Sequence, residues 1–529
     1  MGSPQLVILV ASLLLAALAR RYDLSVPLTL VVAGLAASLI PGVNHPGLRP
    51  DFVMFVVLPP LLWSAGLESS YVALRRNVRS VVALAVLLPL ITTVAVGVVA
   101  FHVVPELTLP AAMTLGAIVA PPDAVSATAI GRRLGLPRVM MTLLGGESLF
   151  NDATALTAYK VALAAALGAA STWRTGLATF FIALAAGVLV GALFGLLIDG
   201  LRTWLDDPLV ESAIGLIAPF LIYWVAEEAH GSGVIAVVVA AVMLGQRSTR
   251  ATYATRLQDD AVWKSVTLVL ESFAFLLIGL QLRHVIQQLT GIRFSTLAIA
   301  SVAVLATVII VRIIGVYFLA YVMRATRPAV RANPPTTAQI FIVAWAGMRG
   351  VVSLAAAFAV PMTTLSGADF PGRPQLIFLT FVVVVGTLLL QGITLPWLVK
   401  FFDVRSEEQA HSDALAEAAA ATRAAQAASE RLDELLAEPG EDIQINERVG
   451  NVLRYWNERR RDAVMERVAG DDDAIGETPT SITRRMRLEM LAAERESFIA
   501  DRDAGNIDDE VLREMLHGLD LEEAALSRD

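Results

Sequence analysis

Thirteen apolar segments follow one another through the first 400 residues, at roughly 5–20, 24–41, 51–68, 80–101, 107–131, 139–168, 175–201, 208–228, 232–246, 261–282, 294–323, 335–361 and 375–400. A stretch of about 20 apolar residues spans the hydrocarbon core of a bilayer. Lipid-facing backbone must bond to itself, which leaves helices or a closed barrel. Segments this long and this apolar predict an all-α membrane protein of about 13 transmembrane helices. The composition agrees, since 56% of the 529 residues are hydrophobic and 17% charged. The first segment is read as a retained span. Ala17-Leu18-Ala19 resembles a cleavage site, but Arg20-Arg21 follow the apolar run and no Lys or Arg precedes it.

Charge divides the chain in two. Residues 401–529 hold 16 Lys+Arg and 32 Asp+Glu, a balance of −16; subtraction from 41 and 49 leaves 25 and 17, or +8, for residues 1–400. We therefore expect a membrane domain at 1–402 and an acidic, helical, cytoplasmic tail at 403–529. The loop cations support the segment count. One set of alternate loops carries Arg20, Arg21, Arg75, Arg76, Arg79, Arg132, Arg133, Arg138, Arg202, Arg247, Arg250, Arg256, Arg324, Arg327 and Arg331; the other carries Arg49, Arg174, Arg283, Arg293 and Arg373. Cytoplasmic loops hold the excess, which puts the N-terminus outside and the tail in the cytoplasm.

Several chemistries are excluded or disfavoured. With no Cys, disulfides, thiolate metal sites and iron–sulfur clusters are impossible. The six His are scattered without metal-ligand spacing and are read as structural or solvated. None of the three Lys follows a Gly, so there is no phosphate loop of the GxxxxGK[ST] type. No cofactor, nucleotide or nucleic-acid site is expected.

Two segments are interrupted. "VAPPDAVSA" carries Pro121-Pro122, which remove two amide donors and clash with the preceding turn. "WAGMRGVVS" sets Gly347 and Gly350 around Arg349. Broken helices survive at membrane depth only beside protein or a wet cavity. The two breaks lie seven segments apart, the offset of an inverted repeat once the first segment is set aside. A matched pair of this kind points to a transport site at the midplane. Between them, "GGESLFNDAT" places Glu147, Ser148, Asn151 and Asp152 inside an apolar run. Residues four apart share a helix face, so Ser148 aligns with Asp152 and Glu147 with Asn151. A mid-membrane charge costs about 2.5–3.5 kcal/mol on insertion scales, so the acids need partners; Arg349, Arg312 and Lys160 have the right sign. Asp123 and Asp152, beside hydroxyl and amide oxygens, make a hard, anionic, oxygen-only set suited to Na⁺, Li⁺ or H⁺.

The stretch "PPDAVSATAIGRRLGLPRVMMTLLGGESLFNDATAL" resembles the fifth-to-sixth span region of the monovalent cation:proton antiporters, the NhaP and sodium–proton exchanger family. "EEAHGSGVIAVVVAAVMLG", "ESFAFLLIGLQL" and "WAGMRGVVSLAAA" are similar to its ninth, tenth and twelfth spans, so the likeness runs in order through residues 1–400. The resemblance implies an inverted-repeat fold, a homodimer and secondary antiport. It implies that Asp152 holds either a cation or a proton. Asn151 would be its partner, in the Asn-Asp pair of the electroneutral class. Ser148 and Asp123 would be further cation ligands, and Glu147 and Arg349 a buried ion pair tying the broken regions together. Two departures bear on the choice of Na⁺ over K⁺ or Li⁺: Pro122 stands where the family has Thr, and Ser64 stands where many relatives have an acid. Ser64 and Lys160 are thus additional candidates.

Lys160 is otherwise expected to pair structurally with an acid on another helix. Glu271 and Arg312 are read as structural or dimer-contact charges, and Glu211, Glu227 and Glu228 as solvated. A channel or ion sensor using the same carboxylates is the rival reading; saturable flux that requires a counter-ion would argue against it. An intramembrane hydrolase lacks a nucleophile–base pair or metal spacing. In the tail, helices are expected at 406–437, ending at Pro439-Gly440, then near 442–467 and 481–515, with "GDDDAIGETPTS" as a linker. The tail's acidity argues against adhesion to anionic lipid.

Overall fold

The computed structural model describes the chain apart from residues 1–2, 41–51, 124–127, 129–130, 132–133, 170–172, 206, 249–250, 288, 290–293, 327, 333, 405–406, 438–442, 470–478, 505, 507–508 and 527–529. His45, the loop cations Arg49, Arg132, Arg133, Arg250, Arg293 and Arg327, Pro439-Gly440 and most of the tail linker lie outside the described residues.

Two compact units are present, residues 1–405 and 406–529. The first contains α1 (Ser3–Arg21), α2 (Val26–Ser38), α3 (Val53–Glu68), α4 (Tyr71–Val103), α5 (Leu109–Val119), α6 (Arg138–Ala166), α7 (Trp173–Leu205), α8 (Pro208–Glu228), α9 (Gly233–Gln246), α10 (Tyr253–Leu280), α11 (Phe294–Thr326), α12 (Thr337–Trp345), α13 (Val351–Phe358) and α14 (Arg373–Phe401). Among the described residues the architecture is all-helical; the sole extended pairing is an isolated bridge between Thr363 and Asp369. By length and composition six helices among the described residues can cross a membrane: α4, α7 from Ala178, α8, the helix from Tyr253 to Gln287, α11 from Ser295, and α14. Shorter apolar helices are α2, α3, α5 and α9.

Prolines shape two of these helices. Both α3 and α4 contain a π-helical turn, at Val53–Val57 and Ala83–Leu87. Pro59, Pro60 and Pro89 follow within four residues. A proline ring clashes with the carbonyl four residues back and cannot bond to it. Those carbonyls belong to Phe55, Val56 and Ala85, inside the two widened turns, which absorb the misfit without ending the helix. Close packing elsewhere uses missing side chains: a Cβ on Gly279 of α10 would stand 2.7 Å from the Cα of Gly34 on α2, so these helices meet at backbone distance.

Two buried apolar clusters form the interior. One gathers α2, α4, α5, α11–α14 and the C-terminal half of α10; the other gathers α8, α9 and parts of α3 and α7. Three helices contribute to both. Helix α6 gives Leu144 to the first and Leu149 to the second, α3 gives Val57 and Leu58 respectively, and α10 gives Phe273 and Trp263.

The second unit holds α15 (Glu407–Ala437), α16 (Ile443–Ala469), α17 (Pro479–Asp503) and α18 (Asp509–Leu526). The helix expected over 481–515 is thus two helices, α17 ending at Asp503 and α18 beginning at Asp509. Asn457 joins α16 to α15 by donating to the Ala425 carbonyl at 2.7 Å and the Ser429 hydroxyl at 2.9 Å. Helices α17 and α18 are joined by Arg487, bonded to Glu522 and Glu494, and by Arg495, bonded to Asp520 and Glu523.

Candidate ion-binding site

The two interrupted regions meet each other. Helix α5 ends at Val119 and α12 at Trp345, while α13 begins at Val351. The residues next to these ends are non-helical, and the Asp123 amide donates to the Met348 carbonyl at 2.6 Å. Backbone groups released by the breaks find side chains. Arg349 donates Nε to the Val119 carbonyl at 2.7 Å and Nη1 to the Gly347 carbonyl, and its own amide is taken by Thr387 Oγ1 at 3.0 Å. Arg312 of α11 donates to the Ala344 and Val343 carbonyls at 3.1 and 3.3 Å. Asn151 Nδ2 donates to the Pro122 carbonyl at 2.8 Å. Helix C-termini carry partial negative charge; the ends of α5 and α12 therefore meet guanidinium groups in place of water.

This arrangement corrects the expected ion pair. Glu147 pairs with Arg312, not Arg349: the Arg312 Nη1 and Nη2 reach Glu147 Oε1 and Oε2 at 2.6 and 3.0 Å. Both are buried. The reason is geometric: Arg349 sits in the break itself, where exposed carbonyls occupy its fork. Arg312 comes from an unbroken helix and presents two parallel donors to the carboxylate.

Beside the breaks is a cavity of about 70 Å³, walled by α3, α6, α10, the first break and the start of α13. A water needs about 10–15 Å³ by this measure, so the space suits a small, partly hydrated ion better than an organic substrate. Asp123, Ser148 and Asp152 line it, together with Pro121, Pro122, Gly350 and Ser353. Helix α6 supplies Ser148 and Asp152 one turn apart, on the shared face that their spacing predicts. Gly350 lets the second break approach Asp123, since a Cβ there would lie 2.8 Å from the Asp123 Cβ. The N-terminal end of α13, with its partial positive charge, opens on the same space and offsets part of the acids' charge. Among the described residues no three acidic or imidazole groups converge as a resident metal centre would need.

The remaining candidates lie off the cavity wall. Asn151 is fully buried behind it, holding the Pro122 carbonyl. Ser64 is buried, and its hydroxyl accepts a bond from Thr267 at 3.1 Å. Lys160 is exposed and bonded to Glu227 at 2.7 Å. Glu211, expected in solvent, is only 2% exposed; it sits in the first turn of α8, tucked against Arg202, which also holds Asp259 at 3.0 Å. Glu271, read from sequence as a structural or dimer-contact charge, lines the cavity. Its signal in the sequence was the position of a lone acid at the head of the apolar run "SFAFLLIGL".

Comparison with known proteins bears on identity. A family model described as "Sodium/hydrogen exchanger, transmembrane" matches residues 8–401. A protein of Mycobacterium tuberculosis named as an uncharacterized Na⁺/H⁺ exchanger is 35% identical over 520 residues, covering 96% of this chain and 93% of the relative. The Na⁺/H⁺ antiporter ApNhaP of Aphanothece halophytica is 31% identical, over 75% of this chain and 74% of its own. A sodium, potassium, lithium and rubidium/H⁺ antiporter of Bacillus pumilus is 30% identical, over 70% of this chain and 57% of its own. In fold, the chain is similar to the sodium proton antiporter MjNhaP1 of Methanocaldococcus jannaschii, with a TM-score of 0.59, 19% identity, and coverage of 74% of this chain and 96% of that one. With interrupted helices meeting at an acid-lined cavity and a family match through nearly all of its first 400 residues, this multi-pass membrane protein belongs to the sodium/hydrogen exchanger family, whose members are transporters and not enzymes.

Proposed function

We propose that the chain exchanges Na⁺ for H⁺ at Asp152, with Asp123 and Ser148 as further oxygen ligands. The observation that carries this reading is the shared cavity: two carboxylates and a hydroxyl face one small space at the crossing of two broken helices. A carboxylate there holds a cation or a proton, but not both. If only the loaded carrier crosses, a gradient of one ion drives the other. Asn151 is neutral and tied to the Pro122 carbonyl, so Asp152 is the sole acid of that pair, which supports electroneutral 1:1 exchange. The breadth of the Bacillus pumilus relative's name keeps K⁺ and Li⁺ among the ions to be tried.

The cavity lies on the seam between the two apolar clusters, with Leu62 and Leu149 from one, Ala274, Phe275 and Val351 from the other. Alternating access is then movement of the core that carries the two breaks and α6 against the other helices. We take the membrane unit to contain about 13 spans in inverted repeats. Its N-terminus is outside and its acidic tail in the cytoplasm.

The test uses everted vesicles, with proton movement followed as Na⁺, K⁺ or Li⁺ is added in turn. Asp152→Asn should abolish exchange while the protein still elutes as a monodisperse species; surviving exchange rejects the assignment. For electroneutral exchange the rate is unchanged when the membrane potential is clamped at zero, and acceleration by a potential would reject the 1:1 ratio. Saturation and a requirement for the counter-ion separate this reading from a channel.

A further inference from the structure

Helix α10 carries a polar stripe into the cavity. Asp260, Lys264, Thr267 and Glu271 follow at spacings of four, three and four, so they share one face. Burial deepens along it. Asp260 and Lys264 are exposed and bonded to each other at 2.7 Å. Thr267 is half-buried, and its hydroxyl donates to Ser64 on α3. Glu271 is half-buried and lines the same space as Asp123, Ser148 and Asp152. Immediately beyond it, every residue from Ser272 to Leu280 is buried. At 1.5 Å per residue the stripe spans about 16 Å, from an exposed ion pair at one end to the ion cavity at the other. The exposed end lies one helical turn beyond Arg256, one of the loop cations of the arginine-rich set.

We propose that Glu271 is the access carboxylate of the transport path. In this role it draws the cation off the cytoplasmic end of α10 and passes it to Asp123 and Asp152. The absence of any three-acid cluster among the described residues fits this role. Asp123, Asp152 and Glu271 line one space, so an ion that reaches Glu271 can be handed on to the other two. A third carboxylate also raises the local cation concentration, as a cleft lined by one sign of charge does. The stripe explains the Thr267–Ser64 bond as well: it keeps hydroxyl oxygens in the otherwise apolar contact between α3 and α10.

The proposal rests on the antiport reading, and its test separates the two. Full-length protein is purified in detergent for Na⁺ calorimetry and reconstituted for exchange. Glu271→Gln is expected to raise half-saturating Na⁺ about tenfold, with the maximal rate within about twofold and Na⁺ binding weakened to match. Glu271→Asp, which keeps the charge, recovers most of the affinity. Thr267→Val, which interrupts the stripe without touching an acid, should raise half-saturation about threefold. It carries the test should Glu271→Gln misfold. Unchanged half-saturation in both variants, or loss of exchange with unaltered Na⁺ binding in Glu271→Gln, overturns the proposal. Wild-type protein that binds Na⁺ but exchanges nothing would sink the antiport reading, and the calorimetric comparison would still judge Glu271.

Discussion

Arg312 presents two guanidinium nitrogens to the two oxygens of Glu147, and neither side chain is more than 2% exposed. A pair of this kind is weak evidence of net stabilisation, because desolvation offsets much of the attraction. Breaking it is another matter. Glu147→Gln leaves the Arg312 charge buried near Arg349 with only carbonyl dipoles for company, a loss of about 3–5 kcal/mol. We expect the detergent-solubilised variant to melt several degrees lower by fluorescence-monitored size exclusion. Glu147→Gln combined with Arg312→Gln should melt above the single variant; a double variant that is additively worse would contradict the pairing. Which arginine would take Glu147 was not legible in the sequence. Both lie in apolar runs, and helical spacing says nothing about contacts 165 residues apart.

At the scale of elements, the breaks matter more than the helices they interrupt. Pro121-Pro122 and Gly347/Gly350 announce both interruptions, because missing amides and missing side chains are local properties. What they become depends on contact. Val119, Pro122 and Gly347 each release a carbonyl, and each is satisfied from another part of the chain or by Arg349. Gly350 is the sensitive point. An added Cβ would press on the Asp123 side chain from 2.8 Å, displacing a cavity acid without disturbing either helix. Gly350→Ala should therefore lower the exchange rate by about 10–100-fold with near-normal melting; full activity would show that Asp123 tolerates displacement. The π turns before Pro59 and Pro89 carry a similar lesson: the prolines are visible, but a widened turn and a kink answer the same clash.

For the whole molecule, two units obey different rules. In the tail, ion pairs stand in water and respond to pH. The Arg487 guanidinium, hydrogen-bonded to Glu522, holds that carboxyl below its ordinary value of 4.5. A depressed carboxylate lends stability that is complete above its unfolded pKa and is lost as pH falls through the folded one. Protection of residues 479–526 in hydrogen exchange, corrected for intrinsic rates, should hold from pH 7 to 5 and fall below about pH 4; protection unchanged at pH 3 would show that apolar packing alone holds α17 to α18. In the membrane unit, the decisive quantity is where the seam between the two clusters runs. The helical character of the apolar segments, both breaks and the Ser148–Asp152 stripe followed from hydropathy and helical period, because each depends only on near neighbours in the chain. The partner of Glu147, the burial of Glu211, the placing of Glu271 on the cavity wall and the turning of Ser64 toward Thr267 were settled by tertiary structure. These depend on which helices pack side by side, and in an apolar chain many helix faces are equally able to pack; distant contacts alone select among them.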